Sequence, residues 1–107
     1  MIINLTPHPI VVGSVTIPPS GVVARVAEST SPVGDIVDGL PLVETRTGEI
    51  TPNLPTPVDG MWLVVSPLVA GRAWGRSDVI CPDTGPDSVM RDAGGKIIGV
   101  KRFRRMV

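Results

Sequence analysis

Apolar residues along this chain fall in short runs separated by proline, glycine and small polar residues. Such runs, bounded by turn formers and rich in valine and isoleucine, predict strands. The first covers Met1–Leu5, ahead of Thr6-Pro7-His8-Pro9. Ile10–Val12 and Val15–Ile17 follow, joined by Gly13-Ser14 as a hairpin turn. After Pro18-Pro19-Ser20-Gly21, Val22–Val26 predicts a further strand, with Arg25 on the opposite face from Ala24 and Val26. This opening third reads as a small antiparallel meander.

Met61–Val65 is the most apolar run and the predicted central strand. Ser66-Pro67 then places an N-cap hydroxyl before a proline at the first helical position. Leu68–Trp74 fills two turns and Gly75 closes them, although Gly71 weakens the interior. This is the one helix predicted. Strands are expected again over Val79–Cys81, Ser88–Arg91 and Lys96–Phe103, with turns over Pro82–Pro86 and Asp92–Gly95.

Residues 27–60 differ in character, with six acids, one arginine and five prolines. Within this acidic, proline-rich excursion a hairpin, VETRTGEI, is expected to turn at Thr47-Gly48. Residues 51–60 carry no periodicity and read as an irregular loop.

Composition sharpens the fold class. The chain has 107 residues, the size of one domain spanning 1–107. It has no tyrosine and one phenylalanine, and twelve prolines and twelve glycines interrupt any long helix. The expectation is an all-β protein, a small barrel or sandwich of short antiparallel strands with one short helix.

Net charge is zero, so there is no global electrostatic case for nucleic acid. The distribution is uneven: residues 1–95 balance at −5 and residues 96–107 at +5. Basic residues commonly blunt a strand edge; contact with phosphate or an acidic partner is the alternative. A lone Cys81 excludes an internal disulfide and fits a reducing compartment. The start has no basic region followed by an apolar core, and no run approaches the ~20 residues that span a bilayer. The expected setting is the cytoplasm of a host cell, with no membrane partner.

The chemistry concentrates in Arg76–Asp92, RSDVICPDTGPDSVMRD, which holds four of the ten acids and the cysteine. Asp83-Thr84-Gly85 is the tripeptide of aspartic proteases, but Pro82 separates it from the apolar strand that should deliver it. Nor is there room before Ile97-Ile98-Gly99 for the sheet that would bring two carboxylates together. Asp78, Asp83, Asp87 and Asp92 do not follow a calcium-loop spacing; turn chemistry accounts for them. His8 is the only histidine, and no metal site, cofactor or catalytic set is expected. The arginines matter more, because a guanidinium suits planar recognition of phosphate or carboxylate. The candidate ligand-binding residues are His8, Ser20, Arg25, Ser66, Arg72, Arg76, Asp83, Thr84, Asp87, Ser88 and Arg91, with Trp62 and Trp74 placed to stack a base. Surface pairing of the arginines with nearby aspartates is the competing account.

NLTPHPI at Asn4–Ile10, IPPSGVVARV at Ile17–Val26, ETRTGEI, VVSPLVA at Val64–Ala70 and RSDVICPDTGPDSVMRD with GGKIIGVKRF behind it resemble a set of small uncharacterised proteins of actinobacterial phages, prophages and their hosts. The similarity covers nearly the whole chain in the same order. It implies a phage-linked origin, and small phage accessory proteins often act by binding. The expected function is a non-enzymatic, homo-oligomeric binding protein that sequesters a nucleotide-like signal in counter-defence. The alternatives are a module docking on a host or virion protein, and a small hydrolase using His8.

Overall fold

The computed structural model describes residues 1–73 and 75–107, and of Asp35 and Ile36 it describes the backbone alone. Among the described residues ten strands and one helix follow in order: β1 Ile2–Asn4, β2 Ile10–Val12, β3 Val15–Ile17, β4 Arg25–Val37, β5 Leu40–Thr51, β6 Trp62–Val64, α1 Pro67–Arg72, β7 Val79–Pro82, β8 Val89–Arg91, β9 Ile97–Val100 and β10 Phe103–Arg104. The protein is mostly strand, arranged as a four-stranded sheet β1-β6-β7-β10, a second sheet β3-β2-β9-β8, and the separate ribbon β4-β5. An all-β, sandwich-like class fits, and none of these sheets closes into a barrel.

The sequence leads one to expect antiparallel strands throughout, and three pairings are instead parallel. β1 pairs parallel with β6, β6 parallel with β7, and β2 parallel with β9. The helix explains one of these. A parallel neighbour needs a crossover connection, and α1 supplies it between β6 and β7. Ser66 caps α1, its Oγ accepting from Val69 N at 3.4 Å, with Pro67 at the first position. The helix ends at Arg72, earlier than the expected Gly75, and Ala73 caps it. The opening third is no meander: β2 and β3 form the Gly13-Ser14 hairpin, while β1 leaves for the other sheet. The single strand expected over Lys96–Phe103 is two strands in different sheets, β9 and β10.

One face of the first sheet forms the core. Leu63, Val65, Val79 and Cys81 are buried there with Leu5, against Val69, Ala70 and Ala73 of the helix region and Ala24 and Val26 at the root of the ribbon. Val26 and Ala24 are buried and Arg25 is exposed, the expected alternation. Ile50 and Leu54 pack on the same core, so the proline-rich run 51–60 is anchored through Leu54.

The ribbon is where the structure departs furthest from the pattern. β4 and β5 pair from Arg25↔Thr51 to Val37↔Leu40, turning at Asp38-Gly39. Both turn residues have positive φ, 49° and 82°, the requirement of a two-residue type I′ hairpin. Thr47-Gly48, the expected turn, lies inside β5. Gly48 sits opposite Ala27, at the register shift between Val26 and Glu28, which is the place of a glycine at a bulge. Pro32 and Pro41 lie within the strands, tolerated because each strand of a two-stranded ribbon has a free edge.

Candidate functional site

The candidate residues do not converge on one place. Arg72 and Arg76 come together at an open cleft of about 400 Å³ between the helix end and the root of the ribbon. Its other walls are Gly48, Glu49 and Ile50 of β5, with Asn53 and Leu54 from the proline-rich run. Arg72 ends α1 and Arg76 follows it by four residues, and both line this cleft. The ribbon root reaches the helix because Ala24, Val26 and Ile50 must bury against Val69 and Ala73.

The two arginines differ in freedom. Arg76 donates to both carboxylate oxygens of Asp78, at 2.9 Å from Nε and 2.7 Å from Nη2, and its Nη2 also reaches Pro55 O at 2.7 Å. The hydrogen bond from Arg76, with its charge, holds the Asp78 carboxyl below its ordinary range and raises the guanidinium in turn. Arg76 is therefore fixed in place, its charge paired with Asp78. Arg72 is exposed and, among the described residues, makes one bond, Nη2 to Gly48 O at 3.2 Å.

A second cluster was only half visible in the sequence. Asp83 is buried at the end of β7. Its Oδ1 accepts from Gly85 N at 3.0 Å and its Oδ2 from Arg102 Nε at 2.7 Å, while Arg104 Nη1 stands 4.0 Å from Oδ1. The Gly85 amide first, then Arg102 and Arg104, lower the Asp83 pKa. A carboxylate fixed in its charged form by two arginines is a structural brace. The Asp-Thr-Gly tripeptide thus serves as a turn: Asp83 bonds the amide two residues on. Arg104 Nε is buried without a hydrogen-bond partner. Arg102 and Arg104 were readable only as part of a basic tail.

The remaining candidates serve local structure. Ser20 Oγ bonds within its own turn, to Val22. Ser88 is buried, and its Oγ accepts from Lys101 N at 3.2 Å. Arg91 Nη1 donates to Gly95 O at 2.7 Å, clasping its own hairpin away from the arginine cleft. Thr84 and Asp87 are exposed. Asp92 Oδ1 accepts from Gly94 N and Lys96 N, again turn chemistry. His8 is exposed and takes part through its carbonyl, which accepts from Asn4 Nδ2 and Thr6 Oγ1. Arg25 and Ser66 line a second depression of about 310 Å³ with Thr6, Glu28 and Leu68. Cys81 is fully buried in the core. Trp62 is on the surface of β6, and Trp74 lies outside the described residues.

Among the described residues no group of three or more His, Cys, Asp and Glu side chains is placed to hold a metal ion, and no helix is long and apolar enough to cross a membrane. No family model, curated protein or solved structure matches this chain.

Proposed function

We propose that this chain is a phage-linked, non-enzymatic binding protein that sequesters a compact anionic ligand of nucleotide type in the cleft between α1 and the ribbon root. The observation that carries the reading is that Arg72 and Arg76 line one open cleft, the first exposed with one hydrogen bond among the described residues and the second locked. A locked guanidinium loses no side-chain freedom when an anion arrives, and a free one closes on it. The other walls argue for more than bare phosphate. Glu49 places a carboxylate in the same cleft, Asn53 an amide, and Ile50 and Leu54 an apolar surface. A ligand that carries negative charge at one end and donors beside an apolar face at the other satisfies all of them; a nucleotide has this make-up.

The test is a calorimetric titration of the protein with cyclic and linear nucleotides, repeated on Arg72→Ala. Arg72 is the right position because it is exposed, whereas Arg76→Ala would strand the Asp78 carboxylate. Losing one charge-assisted contact weakens binding by roughly ten- to a hundredfold. No heat with any nucleotide would remove the reading.

A second reading has its own support. The ribbon β4-β5 stands clear of the core over most of its length, a form suited to docking on another protein. That reading expects indifference to Arg72→Ala and sensitivity to substitutions at the ribbon's far end.

A further inference from the structure

The arm formed by β4 and β5 has too little beneath it. An isolated two-stranded hairpin is marginal in water. This one runs thirteen and twelve residues per strand, with nearly every described side chain from Ala27 to Arg46 exposed. Its far end is apolar: Leu40 is 65 % and Val43 53 % exposed, beside Val37 and Leu42.

The exposed area can be measured against a compact chain. The accessible surface is 7267 Å² for 11.2 kDa. A compact monomer of that mass exposes about 5,700 Å². The radius of gyration is 16.5 Å, against about 13 Å for a compact chain of this length. The surplus, about 1,600 Å², is twice the ~800 Å² that each partner buries in a standard interface.

The body carries a surface of matching character. Ile2, Trp62, Ile80 and Phe103 line a shallow, almost wholly apolar depression of about 300 Å³ across the outer face of sheet β1-β6-β7-β10. Around Phe103 the chain is basic, with Lys101, Arg102 and Arg105 exposed. The arm is the reverse. Residues 25–51 hold five acids and two arginines, and Asp38 and Glu44 flank the apolar tip. Apolar with acidic therefore faces apolar with basic on one and the same chain.

We infer that the arm of one copy lies on the Ile2–Trp62–Ile80–Phe103 face of a second copy, its tip covering the apolar strip and its acids meeting the basic C-terminal segment. The occupant of that face is a second copy of this chain. The pairing is face to face. Strand addition along the arm is disfavoured by Pro32 and Pro41, which offer no N–H to a new neighbour. The inference does not rest on the ligand reading. Its readout is mass, not binding of a nucleotide.

The test is light scattering behind gel filtration on the full chain at low and high salt, with three variants. Wild type is expected at a multiple of 11.2 kDa, shifting toward monomer as salt rises. Leu40→Ser/Val43→Ser removes apolar groups that touch no core. It is expected to leave the circular dichroism unchanged and weaken association at least about tenfold. Glu44→Lys and Lys101→Glu are each expected to associate more weakly alone and to recover when mixed, because the reversed arm then meets the reversed segment. A wild-type monomer at the highest soluble concentration overturns the inference, and so does an oligomer that survives the tip substitutions.

Discussion

Arg102 donates from Nε to Asp83 Oδ2 at 2.7 Å, joining the turn after β7 to the residue just before β10, nineteen positions later. The backbone bond from Asp83 N to Arg102 O at 3.0 Å runs beside it. The last strand is two residues long, so this pair fastens what β-pairing alone would leave loose. Asp83 is also held by Gly85 N, and both contacts favour its charged form.

That preference fixes a pH dependence. The folded-state pKa of Asp83 lies below the unfolded value of about 3.9. Its contribution is complete above the unfolded pKa and is lost as pH falls through the folded one. Urea midpoints measured from pH 6 downward should therefore fall on the acid side of about pH 4. Asp83→Asn should lower the midpoint at neutral pH and flatten that acid limb. An equally steep limb in the variant would assign the acid sensitivity to other carboxylates.

Asn4 should prove one of the least replaceable side chains. It is buried, and its amide is fully used: Oδ1 accepts from Thr6 N and Thr6 Oγ1, and Nδ2 donates to His8 O and Ile17 O. These are the four bonds an amide side chain can make. Asn4→Ala removes all four bonds, leaves the Thr6 amide N–H without its acceptor and should cost roughly 2–4 kcal/mol. Chemical denaturation checks this, with Thr6→Ala as a milder neighbour.

Two glycines should respond in opposite directions. A Cβ on Gly99 would stand 2.9 Å from Val11 O, from Val11 Cγ1 and from Met90 Cε. β2, β8 and β9 meet there, so Gly99→Ala should cost about 1–3 kcal/mol. Gly71 is inside α1, exposed, with open space where a Cβ would be. Gly71→Ala should stabilise by about 0.5–1 kcal/mol. Paired melting curves of the two variants decide both.

Much of the strand pattern was legible, because each short apolar run is closed by its own turn. Gly13-Ser14 and Ser66-Pro67 act locally and were read correctly. The parallel pairing was not legible. β1 lies beside β6 some sixty residues away, and nothing within either run records that partner. The arm turn was carried by a local signal, Asp38-Gly39, obscured by a competing Thr47-Gly48. The equal lengths of chain either side of Asp38-Gly39 would have decided it. At the cleft, Arg72 and Arg76 stood out as arginines beside the helix, whereas Gly48, Asn53 and Leu54 reach it only because the ribbon root folds onto the helix. His8 and Ser20 stood in promising loops and serve those loops, and Arg91, at the end of β8, clasps its own hairpin.

Cys81 supplies a simpler check on the core. It is fully buried on β7, in the core that includes Val69, Ala70 and Ala73. Its thiol should react with an aromatic disulfide reagent only at the rate of unfolding. Fast modification of the native protein would show the core to be open at β7.

The most direct measurement is native mass spectrometry of the purified chain and of Arg72→Ala, each with and without a panel of cyclic and linear nucleotides. The account predicts a nucleotide adduct on the wild type at one ligand per arginine cleft, and its loss in Arg72→Ala. A wild-type protein that carries no adduct from any nucleotide, or a variant that keeps it, would contradict the assignment of the cleft.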